Sequence, residues 1–488
     1  MADEVLREDR LLIDGELAAA SGGTFDNVNP ATEETIGVAG CGTAADLDRA
    51  ITAARRAFDD TDWSRDQELR ADCVRQLQRA LLDHLEEFRA MTVAEVGCPV
   101  MLTHMAQLDS PVAALAWVAD LAEKYEYRED LGEAEPFGIP THRWVEREPV
   151  GVVGAITPWN FPTQINLAKV APALAAGNTV VLKPAPDTPW SASVLGRLVA
   201  EQTDFPPGVI NIVTSSDHGI GALLSSDPRV DMVSFTGSTA TGRKVMAAGA
   251  ATVKRVFLEL GGKSAYIVLD DADFDSSVGM CAFQVTTHAG QGCAITSRLL
   301  LPRSRYEEGI EVIAAGLESV PYGDPTDAGN LMGPLISAKQ RERVEGYIAR
   351  GLEQGARLVM GGERPPQHPR GYYLEPTLLA DVDPDHTVAQ EEIFGPVLVA
   401  IPYEDDDDAV AIANNSVYGL SGHVVSADRE RAIEVARRVR TGTIGINGGV
   451  FYGPDVPFGG YKQSGLGREM GVAGFEEHLE IKAFAEGI

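Results

Sequence analysis

A cysteine with small neighbours is chemically open, and the segment HAGQGCAITSR, residues 288–298, contains one. Cys293 lies between Gly292 and Ala294, with Gln291 two places earlier. A thiol in that setting is a core spacer, a metal ligand or a nucleophile. The five cysteines, Cys41, Cys73, Cys98, Cys281 and Cys293, form no CxxC pair and no His/Cys cluster of zinc spacing. Metal ligation and a disulfide framework are therefore disfavoured. A free thiol titrates near ~8.5, so a nucleophilic Cys293 needs a lowered pKa or a neighbour that takes its proton. Two titratable residues invite attention. In FLELGGK a carboxylate, Glu259, interrupts an apolar run just before two glycines, and burial there raises its basicity. His288 precedes the thiol by five residues, which leaves open a cysteine hydrolase built on Cys293 and His288.

Two glycine-rich turns compete as phosphate cradles. GCGTAA, residues 40–45, has dinucleotide-fingerprint spacing, but Asp46 and Asp48 put negative charge where a phosphate would sit. The Thr43/Asp46 spacing instead fits a capping box. In VSFTGSTATGRKV a strand ends, Gly237 and Gly242 follow, and a helix opens. There Ser238 and free amides can donate to a pyrophosphate at a helix start. The lysine and hydroxyl of a P-loop are absent.

The elements that must position these groups follow from periodicity. Residues 45–60, 70–97 and 110–125 have helical spacing of Ala, Leu, Val and Phe. From 150 to 260 the short runs GVVGAI, NTVVLKP, GVINIVT, VDMVSFTG and RVFLELGG alternate with helical stretches. After 262 a second set follows: SAYIVLDD, SRLLLPR, ARLVMGG, GPVLVAIPY and GTIGING. Strand–helix alternation is the pattern of a parallel sheet covered on both faces, so two α/β domains are expected. Residues 127–149 read as a projecting strand segment, and the run EDDDDAVAIANN as a solvated helix start. At 488 residues the chain exceeds one ordinary core, and its net charge of −31 disfavours nucleic acid and anionic membranes as partners. No run of about 18 apolar residues suits a membrane span, and the acidic start lacks a signal core; a cytoplasmic location is expected.

Six stretches in order resemble the NAD(P)-dependent aldehyde dehydrogenase superfamily: PWNFP, FTGSTATG, LELGGKS, GQGC, EEIFGPV and PFGGYKQSGLGRE. The likeness runs from about residue 11 to the C-terminus. It implies an α/β fold with a Rossmann-like cofactor domain over 1–126 and 150–261. An α/β catalytic domain over 262–470 and a small β oligomerisation segment, 127–149 and 471–488, complete it. It further implies oxidation of a small-molecule aldehyde to an acid with NAD, NADP being possible, in a homodimer or homotetramer. By the same resemblance Cys293 is the nucleophile, Glu259 the general base and Asn160 the oxyanion donor, while Lys169 and Glu469 form a proton-passing charge pair. Lys183 would hold the adenine-side ribose, Glu392 the nicotinamide ribose, and Phe394 would flank the nicotinamide. Ile156, Thr157, Pro158, Trp159 and Leu260 would line the cofactor site, with Gly237, Ser238 and Gly242 at the pyrophosphate.

The chain departs from the family pattern in places. Thr286 and His288 stand where many members have Phe and Asn, and Pro186, followed by Asp187, replaces a ribose-binding glutamate. Asp187 leans the cofactor towards NAD. Phe161, Phe451, Tyr452 and Phe458 suggest an apolar or aromatic mouth for a hydrophobic aldehyde. A variant that passes the thioester to coenzyme A is disfavoured by the presence of Glu259, which the water route needs.

Overall fold

The computed structural model describes residues 8–488; the first seven residues of the expected 1–126 stretch, and so part of the acidic start, lie outside them. Two large sheets form the frame. The first has eight strands in the order 465–466, 255–259, 232–236, 152–156, 179–183, 210–212, 10–13 and 16–19. The five consecutive strands from 255–259 to 210–212 are parallel to one another, and the flanking strands run antiparallel. All five correspond to apolar runs expected from the sequence. Their residues are buried almost throughout, as Val and Ile must be when helices cover both faces.

The second sheet has seven strands, ordered 357–360, 377–380, 397–403, 296–302, 264–268, 422–425 and 445–446. Only 357–360 runs antiparallel within it. Gly465–Leu466 lies within the stretch assigned from sequence to the catalytic domain, yet pairs with Leu258 and Glu259 on the edge of the first sheet. The expected helix over 70–97 is two helices, Gln67–Asp83 and Leu85–Val96, divided at His84. Residues 128–134 and 141–149 form a hairpin that the C-terminal strand Leu479–Gly487 extends. Both outer strands of this three-stranded sheet have an open edge, and Leu131, Phe137, Ile139 and Ile481 are exposed on it and its turn.

The turn at GCGTAA settles as the capping spacing suggests. The Asp46 carboxylate accepts from the Thr43 backbone N–H at 2.9 Å and the Thr43 hydroxyl at 3.2 Å, and from Ser21 as well. These donors hold its carboxyl below the usual range despite burial. Cys41 is partly exposed, with its Sγ 3.4 Å from the Ser216 hydroxyl. Cys73, Cys98 and Cys281 are buried. Asp405 caps the helix Asp406–Asn414 through the Asp408 N–H, so the acidic run sits at a positive helix start.

The parallel strands matter most at their ends. Register places Ile156 beside Lys183, Phe235 beside Ile156 and Thr236 beside Glu259. Four neighbouring strands therefore deliver Glu259, Thr236, Ile156 and Lys183 to one carboxyl edge, where open α/β sheets bind ligands. With strands ~4.8 Å apart, that row spans roughly 14 Å from the acid to the lysine.

Candidate active site

A cleft of about 1060 Å³ opens over that carboxyl edge. Cys293 and Glu259 lie at one end, Lys183 and Asp187 line it further along, and Glu392 and Phe394 enter from the second-sheet side. Ile156, Thr157, Pro158, Trp159 and Asn160 form a continuous wall, and Gly237, Ser238 and Leu260 complete the floor. The cleft thus gathers Cys293, Glu259, Asn160 and all the expected cofactor-site residues except Gly242, but not Lys169, Glu469 or the four aromatic mouth residues.

The thiol arrives through an unusual turn. His288, Ala289 and Gly290 have φ of 50°, 51° and 72°, three successive left-handed residues where β-carbons are crowded. Gln291 fastens the loop that follows. Its side-chain amide donates to the carbonyls of His288 and Pro334 at 3.0 and 3.3 Å, and its oxygen accepts from the Ile336 N–H at 2.9 Å. This answers why a glutamine stands two places before the cysteine: it is a buried strut. The glycine pair of LELGGKS admits close neighbours. A β-carbon at Gly261 would meet a Glu392 carboxylate oxygen at 2.3 Å, and one at Gly262 would meet the Cys293 carbonyl oxygen at 2.5 Å.

Glu259 is 2% exposed, and neither carboxyl oxygen has a hydrogen-bond partner among the described residues. Burial, reinforced by Glu469, lifts its pKa well above the ordinary carboxylate range, against a pull from Lys169 and Arg468. Cys293 is partly exposed, yet burial of its sulfur and the acids Glu259, Glu392 and Glu469 push its pKa up. In the free chain the thiol therefore keeps its proton at neutral pH. An unpaired basic carboxyl and a thiol on one cleft wall form an acid–base couple of the kind nucleophilic catalysis requires.

Asn160 is held from both sides. Its side-chain NH2 donates to the Gln291 carbonyl at 2.9 Å, and its own backbone carbonyl accepts from Gln107 at 2.8 Å. One N–H of that amide is committed to the cysteine loop, which leaves the other for a reacting oxygen. Lys169 is fully buried; its ammonium donates to Glu469 at 2.9 Å and to the Ser234 hydroxyl at 3.1 Å, 4.8 Å above the Phe257 ring centre. Glu469 is fixed in turn by paired backbone hydrogen bonds with Phe458, each 2.7 Å. Sequence reasoning missed Gln107 and Ser234, and noted Gln291 without giving it a role. Each is a polar residue in a buried setting, a signal visible only once burial is known.

Several expectations change in detail. Gly242 faces Leu260, where a β-carbon would meet its side chain at 2.6 Å, so it packs the helix onto the sheet and does not line the cleft. The Gly237 N–H is already given to the Glu259 carbonyl at 3.0 Å. Ser238 caps the helix Thr239–Gly249 by accepting from the Thr241 N–H. Glu392 folds onto the Gly262 N–H at 3.1 Å, and burial lifts its pKa to about 7. Phe394 has a φ of 63° and meets Trp159 edge-on at 5.4 Å. Of the four aromatic mouth residues, Tyr452 lines a second cavity, whereas Phe161, Phe451 and Phe458 line neither cavity.

His288 is buried, with its ring edge-on to Phe161 at 5.4 Å. Neither ring nitrogen has a partner among the described residues, and burial drives its pKa down to about 3. The Cys293–His288 pairing that a hydrolase would use is therefore not formed. Asparagine tolerates left-handed backbone well. His288→Asn is expected to keep kcat/KM within about threefold of the parent, since no bond of the ring is lost; a steady-state assay checks this.

Lys183 tests whether the cleft suits a dinucleotide. It ends a central strand, it is buried, and its ammonium has no hydrogen-bond or ion-pair partner among the described residues. Burial lowers its pKa to about 8, with Asp187 and Asp217 opposing. An unpaired ammonium about 14 Å along the sheet edge from the acid fits a ribose contact at the far end of an extended dinucleotide.

Comparison with known proteins agrees with this geometry. The model of the "Aldehyde dehydrogenase family" matches residues 17–484. The chain is 44% identical over 475 residues to a 3-succinoylsemialdehyde-pyridine dehydrogenase of a Pseudomonas species, covering 96% of this chain and 97% of the relative. An aldehyde dehydrogenase of Mycobacterium tuberculosis complexed with NAD+ superposes with a TM-score of 0.93 at 42% identity, covering 97% of each chain. Aldehyde dehydrogenase C of Pseudomonas syringae, as a mutant complexed with NAD+ and octanal, superposes with a TM-score of 0.92 at 40% identity, covering 98% of this chain and 96% of that one. A thiol and an unpaired buried acid at the carboxyl edge of a parallel sheet, carried on this sequence, make the chain a member of the aldehyde dehydrogenase family.

Proposed function

We propose that the protein oxidises a hydrophobic or aromatic aldehyde to its carboxylic acid, with NAD as the preferred acceptor. The observation that carries this reading is the juxtaposition of Cys293 with the unpaired, buried Glu259 in one cleft. In this scheme the Cys293 thiol gives its proton to the Glu259 carboxylate as its sulfur attacks the carbonyl carbon, which forms a thiohemiacetal. The spare N–H of Asn160 and the Cys293 backbone N–H donate to the developing oxyanion. When bound, the nicotinamide group supplies the two-electron acceptor that takes hydride from that carbon. Glu259 then removes a proton from water, which attacks the remaining thioester and frees the acid and the thiol. Lys169 and Glu469 carry the proton away from Glu259; their buried 2.9 Å contact supports that role.

Ile156 to Trp159, Leu260, Gly237 and Ser238 would hold the dinucleotide, with Lys183 at the adenine-side ribose and Glu392 and Phe394 at the nicotinamide end. The Asp187 carboxylate lines that ribose end beside Pro186, where it repels an added 2′-phosphate. On this reading residues 1–126 and 150–261 form the cofactor-binding domain, 262–470 the catalytic domain, and 127–149 with 471–488 the oligomerisation segment. The open strand edges and exposed Leu131, Phe137, Ile139 and Ile481 support pairing with a second copy into a dimer or tetramer. Five unpaired cysteines fit a reducing cytoplasm; among the described residues no helix is long and apolar enough to cross a membrane.

The test is an aldehyde panel assayed for reduced cofactor with NAD and NADP in parallel. Octanal and benzaldehyde are expected to be turned over, with kcat/KM at least about tenfold higher for NAD, worth about 1.4 kcal/mol. Activity restricted to succinic semialdehyde would overturn the substrate reading.

A further inference from the structure

The lysines that line the cleft are Lys183, Lys244 and Lys339, and their surroundings differ. Lys244 and Lys339 are exposed, so water solvates their ammonium groups. Lys183 is 4% exposed, ends the strand Thr179–Lys183 and has no hydrogen-bond or ion-pair partner among the described residues. Other buried lysines do not share its position. The Lys169 ammonium is committed to Glu469 and Ser234, and Lys263 lines neither cavity. Lys183 is therefore the buried, uncommitted amine that a molecule in the cleft can reach. Burial lowers its pKa to about 8, with Asp187 and Asp217 opposing, so at pH 8 roughly half of it is free base. Desolvated lysines of this kind are the ones that form Schiff bases with carbonyl compounds. Asp187 lines the same cleft, and burial raises its pKa above the ordinary carboxylate value, which suits it to pass protons.

We propose that Lys183 is a modification site for aldehydes: when the dinucleotide is absent it captures an aldehyde as an imine and closes the cofactor end of the cleft. The neutral nitrogen adds to the carbonyl carbon, and one proton moves from nitrogen to oxygen to give a carbinolamine. Asp187 protonates the hydroxyl, which leaves as water while the nitrogen lone pair forms the C=N bond. The remaining N–H proton returns to Asp187. One amine and one aldehyde thus give one imine and one water, with nothing oxidised or reduced. The inference rests on the reading above that aldehydes enter this cleft and that Lys183 serves the dinucleotide. It adds that the two exclude each other, so an excess of aldehyde over cofactor reversibly shuts the protein.

The experiment incubates the parent protein, without cofactor, with benzaldehyde and sodium cyanoborohydride, which reduces an imine to a stable benzylamine; digested peptides are read by mass spectrometry. Lys183 is expected to carry at least about tenfold more label than Lys244 or Lys339, because a desolvated amine spends more time as free base. Saturating NAD is expected to lower that label at least about tenfold by competition, and NAD binding, followed by fluorescence titration, to fall in proportion to the label. Equal label on the three lysines, or label at Lys183 that NAD does not reduce, overturns the proposal. Selective, NAD-sensitive label in a protein that oxidises no aldehyde supports the proposal and overturns the oxidising activity. An active protein that takes no label at Lys183 overturns the proposal and leaves the activity standing.

Discussion

Cys293→Ala is expected to abolish aldehyde-dependent reduction of NAD, lowering kcat/KM by on the order of 10⁵- to 10⁶-fold. That loss corresponds to about 7–8 kcal/mol of transition-state stabilisation. The size follows from the chemistry: without the sulfur the carbonyl carbon never becomes tetrahedral on the protein, and its hydrogen is not a hydride donor. The alanine removes little else. Cys293 is partly exposed and its side chain makes no hydrogen bond within the described residues, while the loop is held by Gln291 and not by the thiol. The variant should therefore still bind NAD, as titration of intrinsic fluorescence would show. A fall in cofactor-linked turnover of less than a hundredfold would remove the sulfur from the mechanism, as would the absence of a trapped covalent adduct at Cys293 in mass spectra taken under turnover.

Glu259→Gln is expected to cost about 10³-fold in steady-state turnover, within the usual range for a general base, yet to spare much of the first turnover. Glutamine keeps the size of the side chain but cannot take a proton from water. One equivalent of reduced cofactor should form rapidly per site and then stop, with the acyl group retained on Cys293. The parent protein should gain turnover as pH rises. Glu259 has a raised pKa, so it is protonated and inert at the acid end and becomes competent as the proton leaves. The glutamine variant should lack that acid limb when the thioester-hydrolysis step is followed by stopped-flow. A variant with an unchanged limb would show that another group activates the water.

Much of this was legible in the sequence because strand ends carry the chemistry. GVVGAI, NTVVLKP, VDMVSFTG and RVFLELGG were readable as buried strands, and their last residues are the ones that meet in the cleft. The cysteine loop was readable from its small residues. What escaped was pairing across long sequence distance. No local signal says that the Gly237 N–H is taken by Glu259, that Gln107 reaches Asn160 fifty-three positions away, or that Ser234 supports Lys169. Of the aromatic mouth residues Tyr452 lines the second cavity. Phe161 meets the His288 ring edge-on, a pairing that sequence distance hides. His84 broke the long helix where periodicity alone ran through it.

The short strand Gly465–Leu466 has a mechanical consequence. Ser464, just before it, accepts from the Leu260 N–H at 2.8 Å and donates its hydroxyl to the Gly261 carbonyl at 2.7 Å, while the Gly419 N–H donates to that hydroxyl at 2.9 Å. Glu259 ends a strand of one sheet and Cys293 leads into a strand of the other. A rivet therefore sits beside the reacting groups, tying the turn after Glu259 to the segment that leads into a strand of the second sheet. The cleft that Cys293 lines is then the way in to the sulfur, between sheets laced together at its side.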